Sequence, residues 1–530
     1  MSLSSASFLV FLICTISVYY LVPKRVQWVV LLISSYVYYL SYGYKLVGFL
    51  LITTVTTYVG GLLLGRLNDR KKLQFQKFSK EVTSEEKKAI SAIYTRNKKW
   101  IIAGILLINF GVLAAIKYYN FTAENLNLLL GLFSDLSLPK MTWLLPVGLS
   151  FYIFQSTGYV IDVYRAKYFP ERNFFKFALF VSFFPQIIQG PISRFDQLAH
   201  QLYEAHSFSF DRLKYGIQLM MWGFFKKLVI ADRTAVIVNN VFGDFHKYSG
   251  SEIAFAVFMY CIQIYCDFSG GIDIIRGVAQ ILGIDMIENF ERPYFATSLS
   301  DFWRRWHISL GAWMRDYLFY SLSLSKPFGK LGKFARKKLK GNLGKILPVS
   351  LVTFIVFFTI GIWHGASWKY IAFGIWNGGI ITFSVINAPT YSKILDKLHI
   401  NPESLYWKLF QIARTTVLVF IGRYFTRGND LMTALRMIKR TVFHFDIKSL
   451  IANIFSLGLS SYELLVVFVC GLVVLGAGFM KEKGIHIRHT LEKKNMFVQW
   501  IVLFAGLMAI AFLGIFREGY IASEFIYKQF

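Results

Sequence analysis

The sequence predicts an all-α, polytopic integral membrane protein, and three observations carry that prediction. Of 530 residues, 55% are hydrophobic and only 17% are charged. Uncharged runs of about 20 residues, long enough to cross a hydrocarbon core, recur along the chain. The charge between them is mostly positive: 58 Lys and Arg against 30 Asp and Glu, a net +28. In a soluble chain that excess would point to nucleic acid. Between apolar runs it marks cytoplasmic loops and surfaces that attract anionic lipid, so no nucleic-acid partner is expected.

Residues 1–22 are uncharged and lack a basic leader, so they read as a first spanning helix and not as a cleaved signal. Runs 26–44 and 46–65 follow. Residues 66–99 are densely basic and are placed inside, which puts the N-terminus outside. Run 100–116 spans outward, 120–139 is expected to lie in the interface, and 141–161 returns. Residues 177–193 are apolar but contain Pro185, Gly190 and Pro191. That pattern predicts a bent or re-entrant segment. The runs within 213–283 are shorter and carry Lys226, Lys227, Asp232, Arg233, Asp267, Asp273 and Arg276, as expected of helices buried in protein or lining a polar cavity. Residues 301–324 are amphipathic. Residues 326–345 hold eight basic residues and no acidic one, so the run 346–363 leaves the inner side and delivers His364 outward. Run 370–392 returns, and 405–423 is a weaker span interrupted by Lys408 and Arg414. Residues 426–460 form an outer amphipathic segment. Runs 464–480 and 496–516 flank a basic inner loop, 481–494, and leave the C-terminus outside. This totals about 11 spans. Residues 1–139 group as N-terminal helices, 140–400 as the core, and 401–530 as C-terminal helices with an extracytoplasmic tail.

His364 is the first candidate for chemistry. An ionisable ring at the mouth of a membrane-length apolar segment is costly and marks function. Gly361 and Gly365 flank it and leave room for close approach. A neutral imidazole can take a proton from a hydroxyl and return it to a leaving group, which suits acyl transfer from a thioester to an alcohol. The bland alternative is a helix-end histidine facing headgroups. No G-x-S-x-G elbow is present, which argues against a hydrolase triad.

A second constellation is 301–317. Trp303, Trp306, His307, Leu310, Met314 and Tyr317 recur at helical spacing on one face, with Arg304 and Arg315 on another. Either this is an interfacial helix with a Trp/Arg belt, or it is a tunnel wall whose aromatics hold an acyl chain and whose arginines hold phosphates. The stretch 265–273 sets Asp267 and Asp273 around Gly270-Gly271, with Ser269 between, and suggests a broken helix. Its carboxylates either pair with basic residues or line a polar cavity. In 189–195 a Gly-Pro turn precedes Arg194, a residue suited to a phosphate. The tail 523–530 is aromatic and presents Tyr527, as an interfacial anchor or as a segment tucked into the outer opening. The four cysteines, Cys14, Cys261, Cys266 and Cys470, show no zinc or disulfide spacing, so no metal is expected.

Together these stretches resemble the membrane-bound O-acyltransferase (MBOAT) family. The similarity is to its bacterial branch of alginate O-acetyltransferases, peptidoglycan O-acetylation subunits and teichoic-acid D-alanyl transfer proteins. The matching pieces are QGPISRF (189–195), DFSG (267–270), DFWRRWHISL (301–310), RDYL (315–318), IWHGA (362–366) and FIY (525–527). The two histidines stand 57 positions apart. The resemblance implies an MBOAT-type ring of helices around a central tunnel, with His364 catalytic and His307 as the second histidine. Substrate-binding or tunnel roles would fall to Trp303, Arg304, Arg305, Trp306, Arg315, Asp316, Trp363, Asp267, Ser269 and Arg194. It further implies acetyl-CoA or another acyl thioester as donor, an extracytoplasmic acyltransferase partner protein, a cell-envelope polysaccharide as acceptor and Tyr527 as an acyl relay. The residues after Leu318 and Lys528 in the tail depart from the alginate-type pattern and leave the acceptor open. D-alanyl transfer from a carrier protein is the alternative within the class. A transporter centred on Asp267 and Asp273, or a scaffold subunit, is the alternative outside it.

Overall fold

A computed structural model of the protein describes residues 1–78, 82–142, 146–339 and 341–515. Among these the chain is helical throughout, and the pairing of Phe290 with Trp306 is an isolated antiparallel bridge. Among the described residues, seven helices are long and apolar enough to cross a membrane: Tyr44–Gln76, Ser84–Leu130, Gly250–Ile281, Leu343–His364, Trp368–Ile386, Ser461–Glu482 and Met496–Leu513. Ala6–Leu21 is apolar but shorter. The chain is a multi-pass membrane protein. Its residues group into two units, 1–216 with 278–287, and 217–277 with 288–530.

In the first unit the basic stretch 66–99 is not a loop. The helix Val47–Gln76 runs into it, and Ser84–Leu130 starts inside it. The reason is local: Thr83 and Glu86 form a capping box that nucleates a helix among charged residues. The same helix continues to Leu130 and absorbs the first half of the expected interfacial segment. The bend around Pro185 is present. Phe174–Ser182 is helical and is capped by the Asn173 side chain. After it the backbone turns irregular while staying buried. Its polar groups are met internally: Phe184 donates its N–H to Ser35 Oγ at 3.0 Å, and Gly190 to the Gln186 carbonyl at 2.9 Å. Irregular backbone at this depth persists only when so satisfied.

In the second unit the Gly270-Gly271 pair does not break its helix, and Gly250–Ile281 is continuous. The glycine serves a close crossing instead. A Cβ on Gly223 would sit 2.5 Å from the Gly270 carbonyl oxygen, and one on Gly270 would sit 2.8 Å from that of Gly223. The charged residues of this region pair with one another across the crossing. Lys227 Nζ lies 2.7 Å from Asp267 and 2.8 Å from Asp232, all three side chains being almost fully buried. Lys226 Nζ reaches Asp273 at 2.7 Å and Ser269 Oγ at 2.8 Å.

Candidate active site

The helix Leu343–His364 forms because its apolar run carries no charge beyond Lys345 until its last residue. It ends at Gly365, whose backbone is extended, and Ser367 opens the return helix Trp368–Ile386. With so short a connection the two helices pack antiparallel along their length. Glycine lets them approach closely. A Cβ on Gly361 would lie 2.5 Å from the Tyr370 carbonyl oxygen and 2.8 Å from Gly374 Cα. His364 is thereby set against the first turns of its neighbour. Its ring stacks on Tyr370 at 6.2 Å, meets Phe373 edge-on at 5.5 Å, and lies 4.9 Å from Trp363. His364 itself is half-buried.

His307 departs from the sequence expectation of one continuous amphipathic helix. Leu299–Arg305 stops, His307 takes a left-handed conformation (φ 49°), and Ile308–Trp313 begins again, followed by a π-helical stretch, Met314–Phe319. Asn289, remote in sequence, enforces the break. Its backbone carbonyl accepts the Ile308 N–H at 3.0 Å, and its Oδ1 accepts the Ser309 N–H at 2.9 Å. The same Oδ1 is 3.4 Å from His307 Nδ1. An amide oxygen only accepts, so Nδ1 carries the proton and Nε2 keeps its lone pair. Burial disfavours the charged ring and pushes its pKa down to about 3, so His307 is neutral at physiological pH. Phe268 meets it edge-on at 5.0 Å and Trp363 lies 6.1 Å away. The two histidine motifs therefore converge on one indole, that of Trp363.

Other predicted residues divide by role. Trp303 donates Nε1–H to Asn377 Oδ1 at 3.0 Å, and its ring lies 6.0 Å from Phe373, which also faces His364. Trp306 is buried and stacks on Phe302 at 5.5 Å. The arginines are engaged with acids: Arg305 with Asp301 at 3.1 Å and Glu482 at 3.3 Å, Arg304 with Asp301 at 3.5 Å, and Arg315 with Asp316 at 3.0 Å. Arg304 and Arg315 are exposed, so they stand outside the aromatic wall. Asp267 is tied to Lys227, and Ser269 to Lys226. Arg194 belongs to the first unit, where it precedes the helix Phe195–Tyr203. Tyr527 lies outside the described residues. Sequence reasoning passed over Asn289, Asn377 and Arg423. Only Arg423 carried a signal of the kind that marked His364, a charge at the end of an apolar run.

The sequence profile of the "MBOAT, membrane-bound O-acyltransferase family" matches residues 171–394, which include both histidines. The chain is 32% identical over 438 residues to the protein named "Probable alginate O-acetylase AlgI" of Azotobacter vinelandii, covering 82% of this chain and 77% of that protein. It is 31% identical over 371 residues to a peptidoglycan O-acetyltransferase of Helicobacter pylori, covering 65% of this chain and 64% of that protein. To a teichoic acid D-alanyltransferase of Bacillus subtilis it is 28% identical over 240 residues, 44% of this chain and 58% of that protein.

Proposed function

Because the chain belongs to the membrane-bound O-acyltransferase family, we propose that this acyltransferase moves an acetyl group from a cytoplasmic thioester, acetyl-CoA, to a hydroxyl on the outer side of a bacterial plasma membrane, for O-acylation of a cell-envelope polysaccharide. The observation that carries the reading is the placement of His364. It ends a membrane-length apolar helix, stands half-buried in an aromatic wall, and shares Trp363 with the buried neutral His307. His364 takes the hydroxyl proton as the oxygen attacks the thioester carbonyl. The C–S bond breaks, and the imidazolium returns the proton to the departing thiolate. His307 shapes the wall and keeps a lone pair, not a charge, near the reacting groups. The basic residues 326–345 stand at the opposite end of the His364 helix, which suits the phosphates of a CoA donor entering from inside. An extracytoplasmic partner completes delivery to the glycan, with Tyr527 as relay. The longer similarity to O-acetylating relatives than to the D-alanyltransferase favours acetyl over D-alanyl transfer.

The test is base-labile acetate and D-alanine on purified envelope glycans from cells carrying the wild-type gene, a deletion, or His364→Ala at equal protein level. Loss of one ester in both mutants is expected, and the lost ester names the acyl group. An ester that survives in His364→Ala but not in the deletion would make the protein a conduit or scaffold.

A further inference from the structure

Asn289 holds the turn at His307 from a fixed platform. It directly precedes Phe290, which pairs with Trp306 in the antiparallel bridge. Glu291 donates its N–H to the Arg305 carbonyl at 2.8 Å, and Ile308 donates to the Asn289 carbonyl at 3.0 Å. The pairing sets Asn289 opposite His307, and both are almost fully buried. Asn289 Oδ1 serves two neighbours, the Ser309 N–H at 2.9 Å and His307 Nδ1 at 3.4 Å. Its Nδ2 is buried with no hydrogen-bond partner among the described residues, and so is Ser309 Oγ. A buried amide nitrogen without an acceptor is costly. Leucine would avoid that cost, and aspartate would offer the same oxygen without the nitrogen. What asparagine combines is an acceptor and no charge.

Two rings that face His307 are uncharged as well. Phe268, from the helix Gly250–Ile281, meets it at 5.0 Å, and Trp363, from Leu343–His364, lies at 6.1 Å. The charged residues near these contacts are engaged elsewhere. Asp267 pairs with Lys227 at 2.7 Å, Glu288 with Lys481 at 2.8 Å, Glu291 with Arg292 at 2.9 Å and Arg305 with Asp301 at 3.1 Å. Arg423 lies 4.7 Å over the Trp306 ring and bonds to Cys261 and Tyr294. His364, next to Trp363, stacks on Tyr370.

We propose that Asn289 is a positioning residue for the acyl transfer: its neutral amide oxygen holds His307 in the left-handed turn with the proton on Nδ1, which keeps Nε2 an uncharged hydrogen-bond acceptor. The inference rests on the acyltransferase reading above. A carboxylate in the same place would accept the same two hydrogen bonds but draw a proton onto the ring, and an imidazolium donates from both nitrogens. Without any acceptor at this position, nothing there would hold the proton on Nδ1.

The test uses membranes carrying the full chain and acetyl-CoA labelled in its acetyl group. It reads base-labile label on envelope glycan between about pH 6 and pH 8.5, with wild type, Asn289→Asp and Asn289→Leu at equal protein level. An Asp–His pair that takes up its proton near pH 7 leaves about one ring in ten neutral at pH 6. Asn289→Asp should therefore approach the wild-type rate at the alkaline end and fall about 10-fold below it at the acid end. Asn289→Leu should be at least about 10-fold slower throughout. An asparagine that only held the fold predicts otherwise: aspartate keeps every contact, so its rate would follow wild type across the range. That result overturns the proposal, and so does a wild-type rate in Asn289→Leu, whether or not the Asp variant folds.

Melting of the purified chain in detergent reads the same pairing without acyl transfer. Wild type should lose stability as the pH falls below 6.5, because its buried ring resists the proton. In Asn289→Asp the pair already holds that proton, so the loss should vanish between about pH 6.5 and 4.5. Equal losses in both proteins overturn the proposal. Label that does not depend on His364 sinks the acyltransferase reading, whatever the melting curves show. Label that depends on His364 while Asn289→Asp follows wild type sinks this inference alone.

Discussion

Replacing Gly361 by Ala probes how His364 is positioned. The added methyl would meet two backbone atoms, the Tyr370 carbonyl oxygen at 2.5 Å and Gly374 Cα at 2.8 Å. Neither can swing aside as a side chain would. Ordinary contact requires the two helices to part by about 1 Å. Overpacking of this kind costs about 1–3 kcal/mol. The effect on chemistry should exceed the effect on stability. His364 is the next turn's residue on the displaced helix, while its stacking partner Tyr370 stays with the other, and a shift of about 1 Å in a reacting group can cost on the order of 100-fold in rate. Gly379→Ala is the matched control, because a Cβ there meets nothing within 4 Å. The assay is the rate of ester formation on envelope glycan at equal protein level, with thermal unfolding in detergent alongside. Gly361→Ala should lose most of its rate while still folding, and Gly379→Ala should resemble wild type. A Gly361→Ala protein with wild-type rate would refute the argument that tight helix packing aims the histidine.

Two further outcomes concern the groups around the site. His307 has its folded pKa depressed below the ordinary 6.5, to about 3, so its neutral ring contributes stability above pH 6.5 that is lost as the pH falls toward 3. The melting temperature should drop through that window and drop less in His307→Asn, a residue that also tolerates the left-handed backbone; an unaltered pH dependence in the variant would count against the buried neutral ring. Lys227→Met leaves Asp267 and Asp232 facing each other without their shared cation, so it should destabilise by about 3–5 kcal/mol, read as lost monodispersity or a lowered melting temperature. Normal folding with selective loss of activity would instead give Asp267 a part in transport or catalysis.

The helix that carries His364 was legible almost to the residue, because its signal is local: an uncharged run bounded by a basic cluster and a histidine. The break at His307 was not. Trp303, Trp306, His307 and Leu310 keep helical spacing in sequence, and the group that interrupts the helix is Asn289, in a loop that no pattern within the segment announces. The glycines at 270 and 271 misled for a related reason. Glycine signals either a bend or a close neighbour, and only the Gly223 carbonyl on the facing helix decides between them. Asp267 and Asp273 were visible as buried charges, but their partners Lys226 and Lys227 come from a π-helical turn whose extra residue rotates both side chains inward.

The helix Ser84–Leu130 has 47 residues. At 1.5 Å per residue it is about 70 Å long, against a hydrocarbon core of about 30 Å. Tilt absorbs only part of the difference, so its charged first turns must stand clear of the bilayer as a rigid post. Anything that approaches the bilayer on that face beside this helix meets the post before it meets the membrane.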